Sequence, residues 1–209
     1  MPDCSLWRFA RAHHVIGLAV GVSTLAVVHL LLGSLRLGLP SASGFVTFPA
    51  RRELPIVFAV LAVGTLNSRM SAFDLNATVG VRRAKNLILA LASVYSVAAV
   101  MLAESLATGP ASGVVYARSV VISIGLALLS GRLWGWGFAW ILPIATIFPT
   151  VYYGRDALNV VRWWDWTSQP ASFPLAWLEA VVSLAIGLTA YWLTPWRRRR
   201  IAAWLRQRP

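Results

Sequence analysis

The sequence predicts an all-α fold: a polytopic membrane bundle of six transmembrane helices, with amphipathic helices lying on its inner surface. Three observations predict it. Apolar residues make up 58% of the 209 positions and charged residues only 12%, where a soluble domain carries about 25% charged residues. The mean hydropathy is correspondingly high, at +0.67. The apolar residues also gather into runs close to the ~20 residues that a ~30 Å hydrocarbon core demands of a helix, and the basic residues fall between and after those runs.

The first run, Val15–Leu35, ends at Arg36, and Gly38 and Pro40 follow as helix breakers. It exceeds the ~7–15 residues of a signal-peptide core, so it reads as a span. The second, Leu54–Phe73, is cleanly apolar only to Leu66; Asn67 and Arg69 lie near its far end, where an arginine can snorkel to the interface. The third, Asn86–Ala107, closes at Thr108-Gly109-Pro110, and the fourth covers Val114–Ser130. Gly131-Arg132 then predicts a very short turn into the fifth, Leu133–Tyr153, which contains Pro143 and Pro149 and is expected to kink. The sixth, Pro174–Trp196, opens with proline in a favourable first-turn position.

Orientation follows from the distribution of Lys and Arg. With the N-terminus inside, 13 of the 19 basic residues fall on inner segments and six on outer ones. An even number of spans then places both ends in the cytoplasm of a multi-pass inner (plasma) membrane protein. Tryptophan agrees: Trp134, Trp136, Trp192 and Trp196 mark the inner boundary, while Trp163, Trp164, Trp166 and Trp177 mark the outer one. Residues 2–14 and 197–208 predict inner-surface amphipathic helices, the second opening with four arginines. The net charge of +12 therefore points to the anionic inner leaflet and not to nucleic acid.

The same residues exclude much chemistry. A single cysteine, Cys4, allows no disulfide within the chain and no thiolate metal site. There is no P-loop, His-Glu-x-x-His, Gly-x-Ser-x-Gly or Cys-x-x-Cys, and the length leaves no separate catalytic domain. The expectation is a chain that is not an enzyme and holds no cofactor of its own. The ionisable residues near span ends are Glu104, Arg118 and Glu179. Glu104 and Arg118 flank one tight hairpin, so a mutual ion pair is expected; the alternative is a polar lining of a substrate path, with Asn67 as a further member. His29, inside the first span, reads as a hydrogen-bonded helix contact, because a haem would want a second intramembrane histidine. Gly17-x-x-x-Gly21 and Ser183-x-x-x-Gly187 are small-residue pairs that permit close helix approach.

Residues 71–85, Ser-Ala-Phe-Asp-Leu-Asn-Ala-Thr-Val-Gly-Val-Arg-Arg-Ala-Lys, form a polar and basic inner segment, and residues 154–173 form a long outer connection containing Trp163-Trp164-Asp165-Trp166. Six spans, an N-terminal inner helix, this segment and this connection together resemble the permease subunits of six-helix ATP-binding-cassette exporters. The resemblance is one of topology. It implies that residues 71–85, with Asp74, Arg82, Arg83 and Lys85, couple to a separate ATPase subunit, and that residues 154–173 re-enter the membrane. It also implies ATP bound on the partner, an amphipathic substrate, and a homodimer or a paralogous permease as a second partner. The alternatives are an accessory or structural subunit of a larger complex and, behind it, a membrane enzyme.

Overall fold

The computed structural model describes residues 15–32, 35–41, 44–67, 79–155 and 160–193. The expected surface helices at 2–14 and 197–208, and Asp74, lie outside these residues. The first helix, α1 (Val15–Leu31), leads into an antiparallel hairpin of β1 (Arg36–Ser41) and β2 (Gly44–Pro49), in which Arg36 faces Pro49 and Ser41 faces Gly44. The bundle is helical, as the all-α expectation has it, and this two-stranded hairpin is a local addition between its first two helices. Gly38 and Pro40 do stop the helix, but the segment then pairs with Gly44–Pro49 and satisfies its backbone groups locally. A 3-10 turn at Ala50–Glu53 delivers the chain into α2 (Leu54–Gly64), with Pro55 in the first turn.

Helix α2 is shorter than the run expected at 54–73, spanning 11 residues, or about 16 Å. Its end tightens at once: the amides of Leu66 and Asn67 bond the carbonyls of Val63 and Gly64, and the Thr65 hydroxyl bonds that of Ala62. Helix α3 (Val79–Ala107) begins seven residues before the expected Asn86 and runs for 29 residues. Arg82, Arg83 and Lys85 are thus on its first two turns and not in a separate segment.

Helix α4 (Pro110–Trp134) passes straight through the turn expected at Gly131-Arg132. A Cβ at Gly131 would collide with the Trp136 ring, so this glycine lets the indole pack on the helix face. The break comes at Gly135, where φ is +106°, a conformation that costs L-residues and not glycine. A 3-10 turn at Trp136–Phe138 follows. The expected fifth span is present only from Ile141, as α5 (Ile141–Ala145) and α6 (Ile147–Tyr153). Pro143 and Pro149 supply no backbone N–H, and Thr146 and Thr150 cover the loosened turn by bonding the carbonyls of Pro143 and of Thr146 and Ile147. The last helix, α7, is Pro174–Trp192.

Three of these helices are long and apolar enough to cross a membrane: Gly80–Ala107, Pro110–Trp134 and Pro174–Trp192. By that measure the chain is a membrane protein. Helix α4 is the buried centre and packs against α2, α3 and α7. Against α7 the approach is close: a Cβ at Gly125 would strike the Ser183 backbone, one at Gly187 would strike Gly125, and the Ser183 hydroxyl bonds the Ile122 carbonyl at 2.9 Å. The Ser183/Gly187 pair therefore works as a packing device. The Gly17/Gly21 pair does not, since a Cβ at Gly17 meets nothing within 4 Å.

One end of the bundle gathers the hairpin, the turn at Ala50–Glu53, Thr108-Gly109 and the 160–173 connection. The opposite end gathers Asn67, Arg82, Arg83 and Trp136. There the Tyr191 hydroxyl meets Asn86 at 2.8 Å and stacks edge-on with Trp136, and Arg132 bonds the Leu193 carbonyl.

Candidate functional site: a buried charge network at the hairpin end

Isolated charges are expensive in hydrocarbon, so those that persist at span ends must find partners. Among the described residues, Arg51, Arg52, Glu53, Glu104, Arg118, Asp165 and Glu179 gather at the hairpin end, together with His29. His29, from the last turn of α1, is wholly buried and places Nε2 2.6 Å from Glu104 Oε2 on α3. Its ring lies edge-on to those of Tyr116 and Phe58. Glu104 receives a second bond from the Thr108 hydroxyl, at 2.6 Å to Oε1, and Arg51 stands 3.5 Å from Oε2. One carboxylate thus ties together α1, the entry to α2, and the α3–α4 corner.

A second knot binds the 160–173 connection. Arg52 donates from Nη2 to Asp165 Oδ1 at 2.9 Å and from Nε to the Thr167 hydroxyl at 2.8 Å, and that hydroxyl donates to the same Asp165 oxygen. Arg118, on the first turns of α4 and fully buried, donates to three carbonyls of the connection: Trp166 at 2.7 Å, Gln169 at 2.8 Å and Pro170 at 3.1 Å. Its guanidinium also lies 5.9 Å from the Trp177 ring centroid, within cation–π range. The Gln169 amide returns to the Arg162 carbonyl at 3.0 Å and the Trp177 indole to that of Ala171 at 2.8 Å. The described part of the connection is a turn-rich cap folded around two arginines and contains no re-entrant helix.

Glu53 and Glu179 complete the network. Glu53 lies 3.6 Å from Arg52, yet burial raises its carboxyl above the usual range against the pull of that arginine, and the Asp165 charge adds to the rise. Glu179, on α7, lies within electrostatic reach of Arg118 and Asp165. Oε1 of Glu53, Oδ2 of Asp165 and Oε2 of Glu179 are buried without a hydrogen-bond partner.

The structure brings Glu104, Arg118 and Glu179 to one end, as the sequence grouped them, but corrects the pairing. Glu104 takes His29 and Arg51, and Arg118 takes backbone carbonyls, because the tight α3–α4 corner leaves the cap and the α1–α2 entry closer to each charge. His29 is a hydrogen-bonded helix contact, as expected. Asn67 is at the opposite end, on a 380 Å3 groove with Gly17, Gly64, Thr65, Trp136 and Trp140. Arg82 and Arg83 are exposed and Lys85 is half-buried at that same end. Sequence reasoning missed Arg51, Arg52, Glu53 and Tyr116. The signal for three of them was Arg-Arg-Glu set directly before an apolar run. Among the described residues no group of three or more His, Cys, Asp or Glu is arranged to hold a metal ion.

No protein-family model, curated protein or solved structure matches this chain.

Proposed function

We propose that this chain is the multi-pass membrane subunit of an ATP-driven exporter, with both ends cytoplasmic. It works with a separate ATPase subunit, and a second permease copy, its own or a paralogue, completes the path for an amphipathic substrate. One observation carries the reading. Helix α3 is a single rod of 29 residues, about 43 Å long, that holds exposed Arg82 and Arg83 at one end and buried Glu104 at the other. A tilt imposed on its basic end by an ATPase would move the carboxylate that joins α1, the α2 entry and the α3–α4 corner. In this reading the charge network is the gate at the outer face, and ATP binding on the partner biases a two-state opening.

The test is co-purification from native membranes, wild type against the double variant Arg82→Glu, Arg83→Glu. The expected result is an ATPase subunit recovered with wild type and lost with the variant. Recovery of no ATPase with either chain removes the exporter reading and leaves an accessory subunit of a larger complex.

A further inference from the structure

Helix α2 has 11 residues and covers about 16 Å, roughly half of the ~30 Å hydrocarbon core. At its last turn lies the 380 Å3 groove, between Gly17 of α1, Leu61 and Gly64 of α2, and Trp136, Gly137 and Trp140 of the segment after α4. Its glycines differ from those that pack helices. A Cβ at Gly17, Gly64 or Gly137 meets nothing within 4 Å, whereas one at Gly125 or Gly187 strikes backbone. The three glycines widen a space and close no contact. Apolar walls at membrane depth favour an alkyl chain as the filling. The position of the nearest cations follows from two cross-links. Ser23 of α1 meets Tyr95 of α3 at 2.8 Å, and His29 meets Glu104 at 2.6 Å, so the two helices run side by side in the same direction. By the same offsets Gly17 is level with about residues 86–89 of α3, and exposed Arg82 and Arg83 stand about 5–10 Å further along the axis, away from the hairpin end. Trp136, a wall of the groove, touches Tyr191, whose hydroxyl bonds Asn86, one turn from both arginines. Among the described residues the acids Glu53, Glu104, Asp165 and Glu179 are all at the hairpin end, and the charges at this end, Arg82, Arg83, Lys85 and Arg132, are all basic.

We propose that the groove and the two arginines form a binding site for one anionic phospholipid: an acyl chain lies in the groove, and the phosphate sits against Arg82 and Arg83. Apolar wall, then indole, then cation is the order in which a phospholipid offers its chain, its glycerol and its phosphate. Each guanidinium presents a rigid fork of N–H donors that matches phosphate geometry. A zwitterionic headgroup brings the same chain, but its own cation offsets the charge that the arginines attract. The anionic lipid is therefore the preferred occupant. The inference does not rest on the ATP-driven reading, since it concerns this chain alone and requires no ATPase.

The experiment uses the full chain, purified in detergent without an ATPase subunit and stripped of native lipid. Dioleoyl phosphatidylglycerol or dioleoyl phosphatidylcholine is added back, and native mass spectrometry counts the lipids retained per chain. The expected result is one phosphatidylglycerol, held about tenfold or more tightly than phosphatidylcholine. The double variant Arg82→Gln, Arg83→Gln is expected to lose that preference and to keep only a weaker retention that ignores the headgroup. Gly17→Leu and Gly137→Leu fill the groove from two different elements, and each is expected to lower retention of phosphatidylglycerol about tenfold or more. Equal retention of the two lipids by wild type overturns the proposal. So does a preference that survives in the double arginine variant, which places the anion elsewhere. Phosphatidylglycerol held by either filled variant as tightly as by wild type overturns it too, as do chain dimers that carry no lipid, which would give the groove to a second copy. The arginine variant, changed only at exposed positions, keeps the test decisive should a filled variant fail to fold.

Discussion

His29 Nε2 and Glu104 Oε2 stand 2.6 Å apart although 75 positions separate the two residues. The pair is buried on both sides, and Arg51 and Thr108 share the same carboxylate. Removing the acid therefore leaves a half-buried arginine without its counter-charge and two donors without their acceptor. Removing the imidazole leaves the acid its other two partners.

This asymmetry predicts unequal costs. Glu104→Leu is expected to destabilise the protein by about 3–5 kcal/mol, the usual result of breaking a buried ion pair from one side. His29→Leu should cost less, about 1–3 kcal/mol, the cost of leaving a buried acceptor short of one bond. Thermal unfolding of the detergent-solubilised variants checks the ranking, and equal losses would mean that Arg51 and Thr108 contribute nothing.

Arg118→Met keeps an unbranched but shorter side chain and removes every donor, so the carbonyls of Trp166, Gln169 and Pro170 lose their partner together. The cap is expected to loosen while the helices stay packed. Hydrogen exchange should quicken at residues 162–173 and remain slow in the core of α4. Uniform quickening across α4 would show that Arg118 supports the whole bundle.

The α4–α7 contact is set by absent side chains. Gly187→Ala and Gly125→Ala each push a Cβ into backbone on the neighbouring helix. Backbone cannot step aside as a flexible side chain can. Each variant is expected to cost about 1–3 kcal/mol, the range for overpacking, against little for Gly17→Ala, where a Cβ meets nothing within 4 Å. Comparison of the three unfolding midpoints is sufficient.

Gly135 has open space around it but a φ of +106°. Gly135→Ala is thus expected to cost about 1–2 kcal/mol through backbone strain alone, and Gly137→Ala, with neither crowding nor positive φ, close to nothing. Circular dichroism through thermal unfolding separates the two. A neutral Gly135→Ala would mean that the α4 terminus relaxes without loss.

Apolar run length and charge placement were enough to locate the principal helices, because hydrocarbon penalises any unpaired polar backbone and so forces long apolar segments into helices. Glu104, Arg118 and Glu179 were visible for the same reason: a charge beside an apolar run stands out. Helix ends were less legible. Gly131-Arg132 reads as a turn, yet the packing of Trp136 on Gly131 keeps that segment helical, and the break moves to Gly135. The hairpin at 36–49 was hidden because Gly38 and Pro40 read only as helix breakers, and the short local pairing of Arg36–Ser41 with Gly44–Pro49 leaves no long alternating pattern in the sequence.

The sequence by itself determined the membrane class, the apolar segments and three of the ionisable groups that had to find partners, Glu104, Arg118 and Glu179. Only the tertiary structure decided who those partners are. Glu104 sits four residues from Thr108 but 75 from His29, and Arg52 is 113 residues from Asp165. Charges pair with whatever the packed helices bring within a few ångströms, and in a low-dielectric interior that distance outweighs proximity along the chain.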